Sequence, residues 1–339
     1  MAQKTVLRFG VLSTAKIART TVIPAIQAAA RAEVLAIASR SAERAAEAAR
    51  ALKIPRAHGS YEALLNDPDI DAVYISLPNT LHCEWTIRAA EKKKHVLCEK
   101  PLAVDAAEAQ RMVQACRANA VRLMEAFQCR HHPAIREALR LAAEGQIGAL
   151  RLMRGSFAFP LNYADTANLR WRKDVEGGSL MDVGCYCVHM FRAFAGREPV
   201  AVSAAMNIRP DTGVDSETAG QMMFEGGLIG QFYCGFRQAS FNHLAAYGES
   251  GLIELPTGVS SSPQAPKALQ VQTRDREWTV NFTPVNHYQL QVEHFAQVVL
   301  DGEPPRLADD DGVANMRVIE AIRESARCGR TVEVKTAGR

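Results

Sequence analysis

His95-Val96-Leu97-Cys98-Glu99-Lys100-Pro101 is the stretch around which the rest of the chain is arranged. The apolar run His95 to Cys98, bounded by Lys92-Lys93-Lys94, reads as a short buried parallel strand. Lys100 then stands at the carboxyl end of that strand, in the crevice where doubly wound sheets bind their ligands. Glu99 beside it keeps the ammonium charged, or partial burial lowers its pKa toward working pH. Pro101 fixes φ and turns the chain before the next helix. Taken alone the tripeptide is an ordinary surface feature, and its meaning comes from what precedes and follows it.

At 339 residues the chain exceeds one typical domain, so two domains are expected. It is 47% apolar and 23% charged, the balance of a soluble globular protein. A net charge of +3, evenly scattered, does not argue for nucleic acid. The start Met1-Ala2-Gln3-Lys4 leads straight into a strand without the apolar core of a signal peptide. No apolar run approaches the ~20 residues of a membrane helix. The cysteines (Cys83, Cys98, Cys116, Cys129, Cys185, Cys187, Cys234 and Cys328) are scattered and form no C-x-x-C pair. Reduced, buried thiols in a cytoplasmic protein are the expectation.

Val6 to Leu12 reads as a strand, followed by Ser13-Thr14-Ala15-Lys16-Ile17-Ala18 and a helical pattern through Ile26 and Ala29. In the dinucleotide fingerprint three glycines give a tight turn, close approach to the pyrophosphate and close helix packing. Their places are taken here by Ser13, Ala15 and Ala18, so an ordinary strand-to-helix turn is an equal reading. A second strand, Glu33 to Ala38, ends in Ser39-Arg40-Ser41 before an alanine-rich helix to Leu52. NAD requires an acid at that strand end for the ribose hydroxyls. Ser39 and Arg40 instead suit a 2′-phosphate, with Arg44 one helical turn later on the same face. The alternative, a solvated arginine, sits poorly at the positive end of a helix dipole without an anion nearby. The reading is NADP.

Tyr61 to Asn66 is a short helix, and Ala72 to Leu77 a strand broken by Pro78-Asn79-Thr80. Leu81 to Lys93 is a helix with His82 in its first turn. Asn79, at a strand carboxyl end, can bond ribose hydroxyls or cap the helix, and the two roles are compatible. A helix from Asp105 to Asn119 and a strand from Val121 to Met124 complete a βαβαβ pattern of about six strands. The character changes at Glu125-Ala126-Phe127-Gln128-Cys129-Arg130-His131-His132-Pro133. A helix runs to Glu144 and a long strand from Ala149 to Phe159. From Val200 alternating runs follow: 202–208, 218–224, 228–236, 243–247, 252–255, 269–273 and 278–282, a largely antiparallel sheet with one packed face. Ser260 to Pro266 is a surface loop. Helical patterns His287–Leu300 and Val313–Cys328 close the chain.

The second chemical cluster follows Glu176-Gly177-Gly178. There Asp182, Tyr186 and His189 stand at i, i+4 and i+7 of a helical pattern, on one face, with apolar residues on the other. A carboxylate, a phenol and an imidazole so placed suit proton transfer and hydrogen bonding to a polyol. Tyrosine ionises near pH ~10, so acid/base work needs a nearby ammonium such as Lys100. A buried, hydrogen-bonded Tyr on a polar helix face is the plain alternative. A metal site of Asp182, His189 and another His lacks any paired ligand spacing.

Together these residues resemble the glucose–fructose oxidoreductase / inositol dehydrogenase / rhizopine-catabolism (Gfo/Idh/MocA) family of NAD(P)-dependent enzymes. The resemblance spans the chain and rests on Leu12 to Ala18, Ser39-Arg40, Glu99-Lys100-Pro101, Glu125-Ala126-Phe127 with Arg130 and His132-Pro133, Trp171-Arg172, and Gly177-Gly178 through Tyr186. It implies an α/β fold. Residues 1–124 would form a Rossmann domain that binds NADP(H). Residues 125–339 would form a substrate-binding and oligomerisation domain, whose large, mostly antiparallel open sheet usually makes a dimer or tetramer interface. It carries catalysis onto Lys100, Asp182 and Tyr186. It carries cofactor contacts onto Ser13, Thr14, Ala15, Lys16, Ile17, Ser39, Arg40, Arg44, Leu77, Pro78, Asn79, His82, Glu99, Lys100, Trp171, Arg172 and Tyr288. Substrate contacts fall on Phe127, Arg130, His132, Phe159, Arg172, Asp182, Tyr186 and His189. Tyr186, where the inositol branch has His, resembles the sugar oxidoreductase, dihydrodiol dehydrogenase and anhydrofructose reductase branch. The implied activity is NADP-dependent hydride transfer to or from a cyclic sugar or diol. The alternatives are a trans-dihydrodiol dehydrogenase, or a non-catalytic sugar sensor like a galactose-pathway co-repressor of this fold. Retention of Lys100, Asp182 and Tyr186 favours the enzyme.

Arg40 is expected to set the cofactor preference. Its phosphate contact would be worth a few kcal/mol at most. Arg40→Asp is therefore predicted to reverse a preference for NADP over NAD, mostly through KM. Equal kcat/KM for the two cofactors in the wild type would sink the assignment.

Overall fold

A computed structural model describes residues 5–259 and 262–335. Met1 to Lys4, Ser260, Ser261 and residues 336–339 lie outside the described residues. The chain divides into two compact units: residues 1–131 with 286–313, and residues 132–285 with 314–339. The sequence places the division after residue 124. Long-range packing instead returns the segment 286–313 to the first unit, which local pattern does not encode.

The first unit is a six-stranded parallel sheet: β1 Leu7–Leu12, β2 Ala32–Ala38, β3 Arg56–His58, β4 Ala72–Ile75, β5 His95–Cys98 and β6 Leu123–Glu125. The order is β3-β2-β1-β4-β5-β6, so the direction of winding reverses between β1 and β4. The helices are α1 Ile23–Ala28, α2 Ala42–Ala51, α3 Tyr61–Leu65, α4 His82–Glu91 and α5 Ala106–Ala118. Central strands buried on both faces read as continuous apolar runs, and β4 is buried at every position. Strand β3 escapes the sequence reading because its three residues are partly exposed and carry no apolar pattern. Lys94 departs from the solvated Lys92-Lys93-Lys94 run. It is buried, and its Nζ donates to the carbonyls of Asp67 and Ile70, each at 2.8 Å.

Helix α6 Pro133–Ala143 and strand β7 Leu150–Ala158 open the second unit, followed by α7 Cys185–Ala195. Strands β8 Ala201–Ile208, β9 Asp215–Met223, β10 Ile229–Gly235, β11 Phe241–Gly248, β12 Gly251–Leu255, β13 Lys267–Thr273 and β14 Glu277–Phe282 match the alternating runs. Helix α8 His287–Leu300 belongs to the first unit, where the Phe295 ring lies 5.9 Å from Phe9 of β1. Helix α9 Asp311–Cys328 and strand β15 Val332–Glu333 end the described chain. The nine strands follow the order β14-β13-β12-β11-β7-β10-β9-β8-β15. Every pair is antiparallel except β7 with β10. Helix α7 packs on β7 and β10, and its Phe191 ring fills the space over Gly155 and Gly230. All eight cysteines are free and seven are buried. No described helix is long and apolar enough to cross a membrane.

Helix α6 is capped by His132, whose Nδ1 accepts the Ala134 N–H at 3.1 Å. The ring is buried, and burial, helped by the charge of Lys267, pushes its pKa down to about 4. The native ring therefore stays neutral, while in the unfolded chain it takes a proton near pH ~6.5. The folded pKa is the lower one, so this group costs stability as pH falls from about 6.5 to about 4 and nothing above that window. His132→Asn keeps a capping acceptor and removes the titration. Urea unfolding should show a shallower loss of stability between pH 7 and 4.5 in that variant, and an unchanged slope would refute the assignment.

Candidate functional site

In a doubly wound sheet the ligand crevice lies outside the strand carboxyl ends at the switch point, here between β1 and β4. Ser13 follows β1 with φ at +106°, a conformation that favours glycine. Its hydroxyl makes the turn tolerable, because Oγ accepts the Ala15 N–H at 2.9 Å and donates to the Ser76 carbonyl at 3.3 Å. Thr14 and Ala15 are half-buried and Lys16 is exposed. The helix that begins at Lys16 opens through a π turn, Ala18–Val22, before α1. Its first N–H groups have no partners within the helix and suit an anion.

At the end of β2 the buried Ser39 Oγ accepts the Ser41 N–H at 3.2 Å, and Ser41 caps α2 by accepting the Arg44 N–H. Arg40 and Arg44 are exposed. The Arg40 guanidinium bonds the phenol of Tyr61, whose pKa is raised by burial against that cation. Tyr61, read from sequence only as the start of a helix, thus holds Arg40. After β4, Leu77 is buried, while Pro78 and Asn79 lead into a 3-10 turn, Asn79–Leu81. The N-cap residues of that turn and of α4, Pro78 and Leu81, make no side-chain cap. His82 is fully buried, with Nε2 2.9 Å from the Leu77 carbonyl and Nδ1 3.0 Å from that of Pro101. The imidazole thus lies between two backbone carbonyls.

Lys100 follows β5 and precedes a cis peptide bond to Pro101. Glu99 accepts the Tyr74 hydroxyl at 2.6 Å on one oxygen and the Lys100 N–H at 3.3 Å on the other. Burial, then the Glu99 charge, raises the Tyr74 pKa well above its ordinary value, so Tyr74 stays a donor. Tyr288, on α8, is pushed up to about 12 by burial and by Glu99, against the opposing pull of Lys100. The structure thus gathers Glu99, Lys100 and Tyr288, three of the expected cofactor residues.

Within the second unit, Asp182 lies in a π turn, Leu180–Gly184, that leads into α7. Its carboxylate accepts Arg170 Nε at 2.5 Å, and the Asp182 charge raises the Arg170 pKa. The Arg170 guanidinium rests 5.6 Å over the Phe159 ring. Phe157 links the group, 6.5 Å from Phe159 and 5.5 Å from the Tyr186 ring. Tyr186 and His189 are buried, as is the rest of α7 around them, so the expected contrast of a polar and an apolar face gives way to a helix covered on all sides. The Gly177 and Gly178 N–H groups donate to the carbonyls of Arg172 and Arg170 at 2.9 and 2.8 Å. A Cβ on Gly177 would lie 2.6 Å from the carbonyl oxygens of Leu169 and Arg170, so the turn carrying Arg170 is laid directly on the glycine pair. Asp215 of β9 anchors the helix start, its Oδ2 accepting from Ser179 Oγ (2.6 Å), the Leu180 N–H (2.8 Å) and Thr218 Oγ1 (2.9 Å).

Trp171 is a core residue, its Nε1 donating to the Asn162 carbonyl at 3.0 Å and its ring edge-on to Phe236. Arg172 pairs with Asp174. Phe127 is fully buried, Arg130 half-buried in the 3-10 turn Gln128–His131, and His132 is the cap of α6. Among the described residues no group of three His, Cys, Asp or Glu could hold a metal.

A model of an oxidoreductase family with an NAD-binding Rossmann fold matches residues 7–127, and that family's C-terminal domain matches 135–254. The chain belongs to the Gfo/Idh/MocA family. It is 40% identical to D-xylose 1-dehydrogenase (NADP(+)) 2 of Haloferax volcanii, over 97% of this chain and 100% of that protein. To trans-1,2-dihydrobenzene-1,2-diol dehydrogenase of Xenopus tropicalis it is 32% identical, over 94% and 97%. A 3-ketoreductase of Actinomadura kijaniata, solved with NADP and TDP-benzene, superposes with a TM-score of 0.87 at 31% identity, over 94% and 98%.

On this Gfo/Idh/MocA chain Arg170, Asp215, Tyr61 and Tyr74 escaped the sequence reading. Arg170 adjoins the Trp171-Arg172 pair, and the glycines that hold it were visible, but nothing local pairs residues 12 or 36 positions apart. Gly178 tests this framework. Its φ is +107°, and a Cβ there would lie 2.1 Å from Asp215 Oδ1. Gly178→Ala is expected to cost at least about 2 kcal/mol from backbone strain and overpacking. Urea unfolding reads this, and a variant as stable as wild type would dismiss the framework.

Proposed function

We propose that the chain is an NADP-dependent oxidoreductase acting on a hydroxyl or keto group of a cyclic sugar or diol. The observation that supports this most directly is Lys100, placed at the carboxyl end of β5 and held through Glu99 and Pro101. The NADP-linked relatives support the cofactor, and their substrates support the class.

The donors on the first unit fit that cofactor. A helix N-terminus follows the Ser13 turn for the pyrophosphate, and exposed Arg40, backed by Tyr61, stands with Ser39, Ser41 and Arg44 for a 2′-phosphate. NADP supplies a hydride donor or acceptor at C4 of its nicotinamide. In this reading Lys100 donates a hydrogen bond to the reacting substrate oxygen and favours its negative charge as the C–H bond breaks or forms. Tyr186 takes the hydroxyl proton during oxidation and returns it during reduction. Asp182, paired with Arg170, orients the substrate by accepting hydrogen bonds from its other hydroxyls. Arg130, Phe159 and His189 complete the substrate contacts. We place the enzyme in the cytoplasm as a homodimer or homotetramer through the nine-stranded sheet, where Ile208 and Phe241 are exposed; light scattering reads the assembly, and a monomer would count against it.

The experiment is turnover of D-xylose, D-glucose and trans-1,2-dihydrobenzene-1,2-diol with NADP⁺. Lys100→Met should lose catalysis with NADPH binding largely intact. Tyr186→Phe should cost roughly 10²–10⁴-fold in kcat, the worth of a positioned acid/base. Because the two act as a unit, the double variant should be little worse than the worse single one. Full activity of Tyr186→Phe would move the proton role to His189, and NADPH binding without turnover of any compound would indicate a sensor.

A further inference from the structure

His82 carries a feature that cofactor binding does not explain. Its imidazole is fully buried, and both ring nitrogens face backbone carbonyl oxygens, Leu77 at 2.9 Å and Pro101 at 3.0 Å. Carbonyl oxygens only accept, so the ring spans two loops as a strut, donating from one nitrogen when neutral and from both when protonated. Burial and the nearby Lys100 charge hold its pKa down.

The loops it joins matter. Leu77 lies just past β4, beside Pro78 and Asn79, and Pro101 directly follows Lys100. On its other side Lys100 is preceded by Glu99, whose carboxylate is held by the Tyr74 hydroxyl of β4 at 2.6 Å. The lysine thus has a buried group on each flank: a phenol bonds Glu99, and the imidazole lies between the Pro101 and Leu77 carbonyls, donating to one of them when neutral. Polar groups buried this deeply are costly unless bonded, so the strut has few alternative positions.

We propose that His82 is a positioning residue for Lys100, its ring setting the distance between the turn after β4 and the Lys100-Pro101 loop. The proposal rests on the catalytic reading of Lys100 given above. A misplacement of about 1 Å at a catalytic group costs on the order of 10²-fold in rate.

The two ring nitrogens can be tested separately. The Asn side-chain nitrogen overlays Nδ1 and retains a donor for the Pro101 carbonyl, whereas the Gln nitrogen overlays Nε2 and retains one for Leu77. With whichever of D-xylose, D-glucose and the dihydrodiol the wild type turns over, His82→Gln should lower kcat by about tenfold or more, and His82→Asn by clearly less. The NADPH dissociation constant, read by its fluorescence, should stay within about twofold in both. In the residual turnover left by Lys100→Met, adding His82→Gln should change kcat by less than about threefold, because the positioned group is gone. Equal losses in Asn and Gln, an unchanged kcat in His82→Gln, or the same fold loss with and without Lys100 would overturn the proposal. If His82→Gln fails to fold, the cycle is run with His82→Asn, and a full independent loss there overturns it equally. Wild-type turnover by Lys100→Met would instead remove the catalytic reading of Lys100, and this proposal with it.

Discussion

In the proposed reaction Lys100 works from a fixed backbone, and polar groups of the first unit flank it on both sides. The lysine follows a strand of four residues, too short to stiffen a loop by itself. Glu99 and Pro101 are therefore each tied back to residues on or beyond β4, one by a phenol and the other by an imidazole. The His82 contacts are fully buried and the Tyr74–Glu99 bond is partly so, which makes them stronger than bonds on the open surface. The rest of the unit serves this crevice. The β1 turn and the β2 end offer anion donors, and α8 brings Tyr288 beside Glu99 and Lys100.

The second unit solves a similar problem with a carboxylate at a helix N-terminus. Asp215 accepts from two hydroxyls and one backbone N–H at the start of the helix that carries Asp182 and Tyr186. Negative charge is favoured at that end of a helix, so the anchor and the dipole reinforce each other. The glycine pair admits the turn that carries Arg170, and Arg170 reaches Asp182. A carboxylate beside a fixed guanidinium is held in one orientation.

Much of this was legible from residue order. Period-two alternation marked seven strands of the large sheet, and apolar runs marked the central strands of the parallel one. What failed did so for physical reasons. Three residues of β3 carry no pattern because they are partly exposed. Two π turns are invisible because nothing in the letters distinguishes one inserted residue from a regular turn. His82 and His132 each lie near a motif, and residue order does not say what their rings bond. One is a strut between carbonyls and the other a helix cap, and an imidazole suits either role equally well.

By itself the sequence determined the fold class, the two-part organisation and the identity of Lys100, Asp182 and Tyr186 as the groups worth testing. Hydrophobic period and strand-end position are local properties that residue order carries directly. Tertiary structure alone decided which polar groups hold those residues: Tyr74 and His82 behind Lys100, Tyr61 behind Arg40, Arg170 on Asp182, and Asp215 beneath the helix. These partners are joined by hydrogen bonds across 12 to 36 positions of chain. Such pairings are set by how sheets and helices pack, and a one-dimensional pattern does not record them.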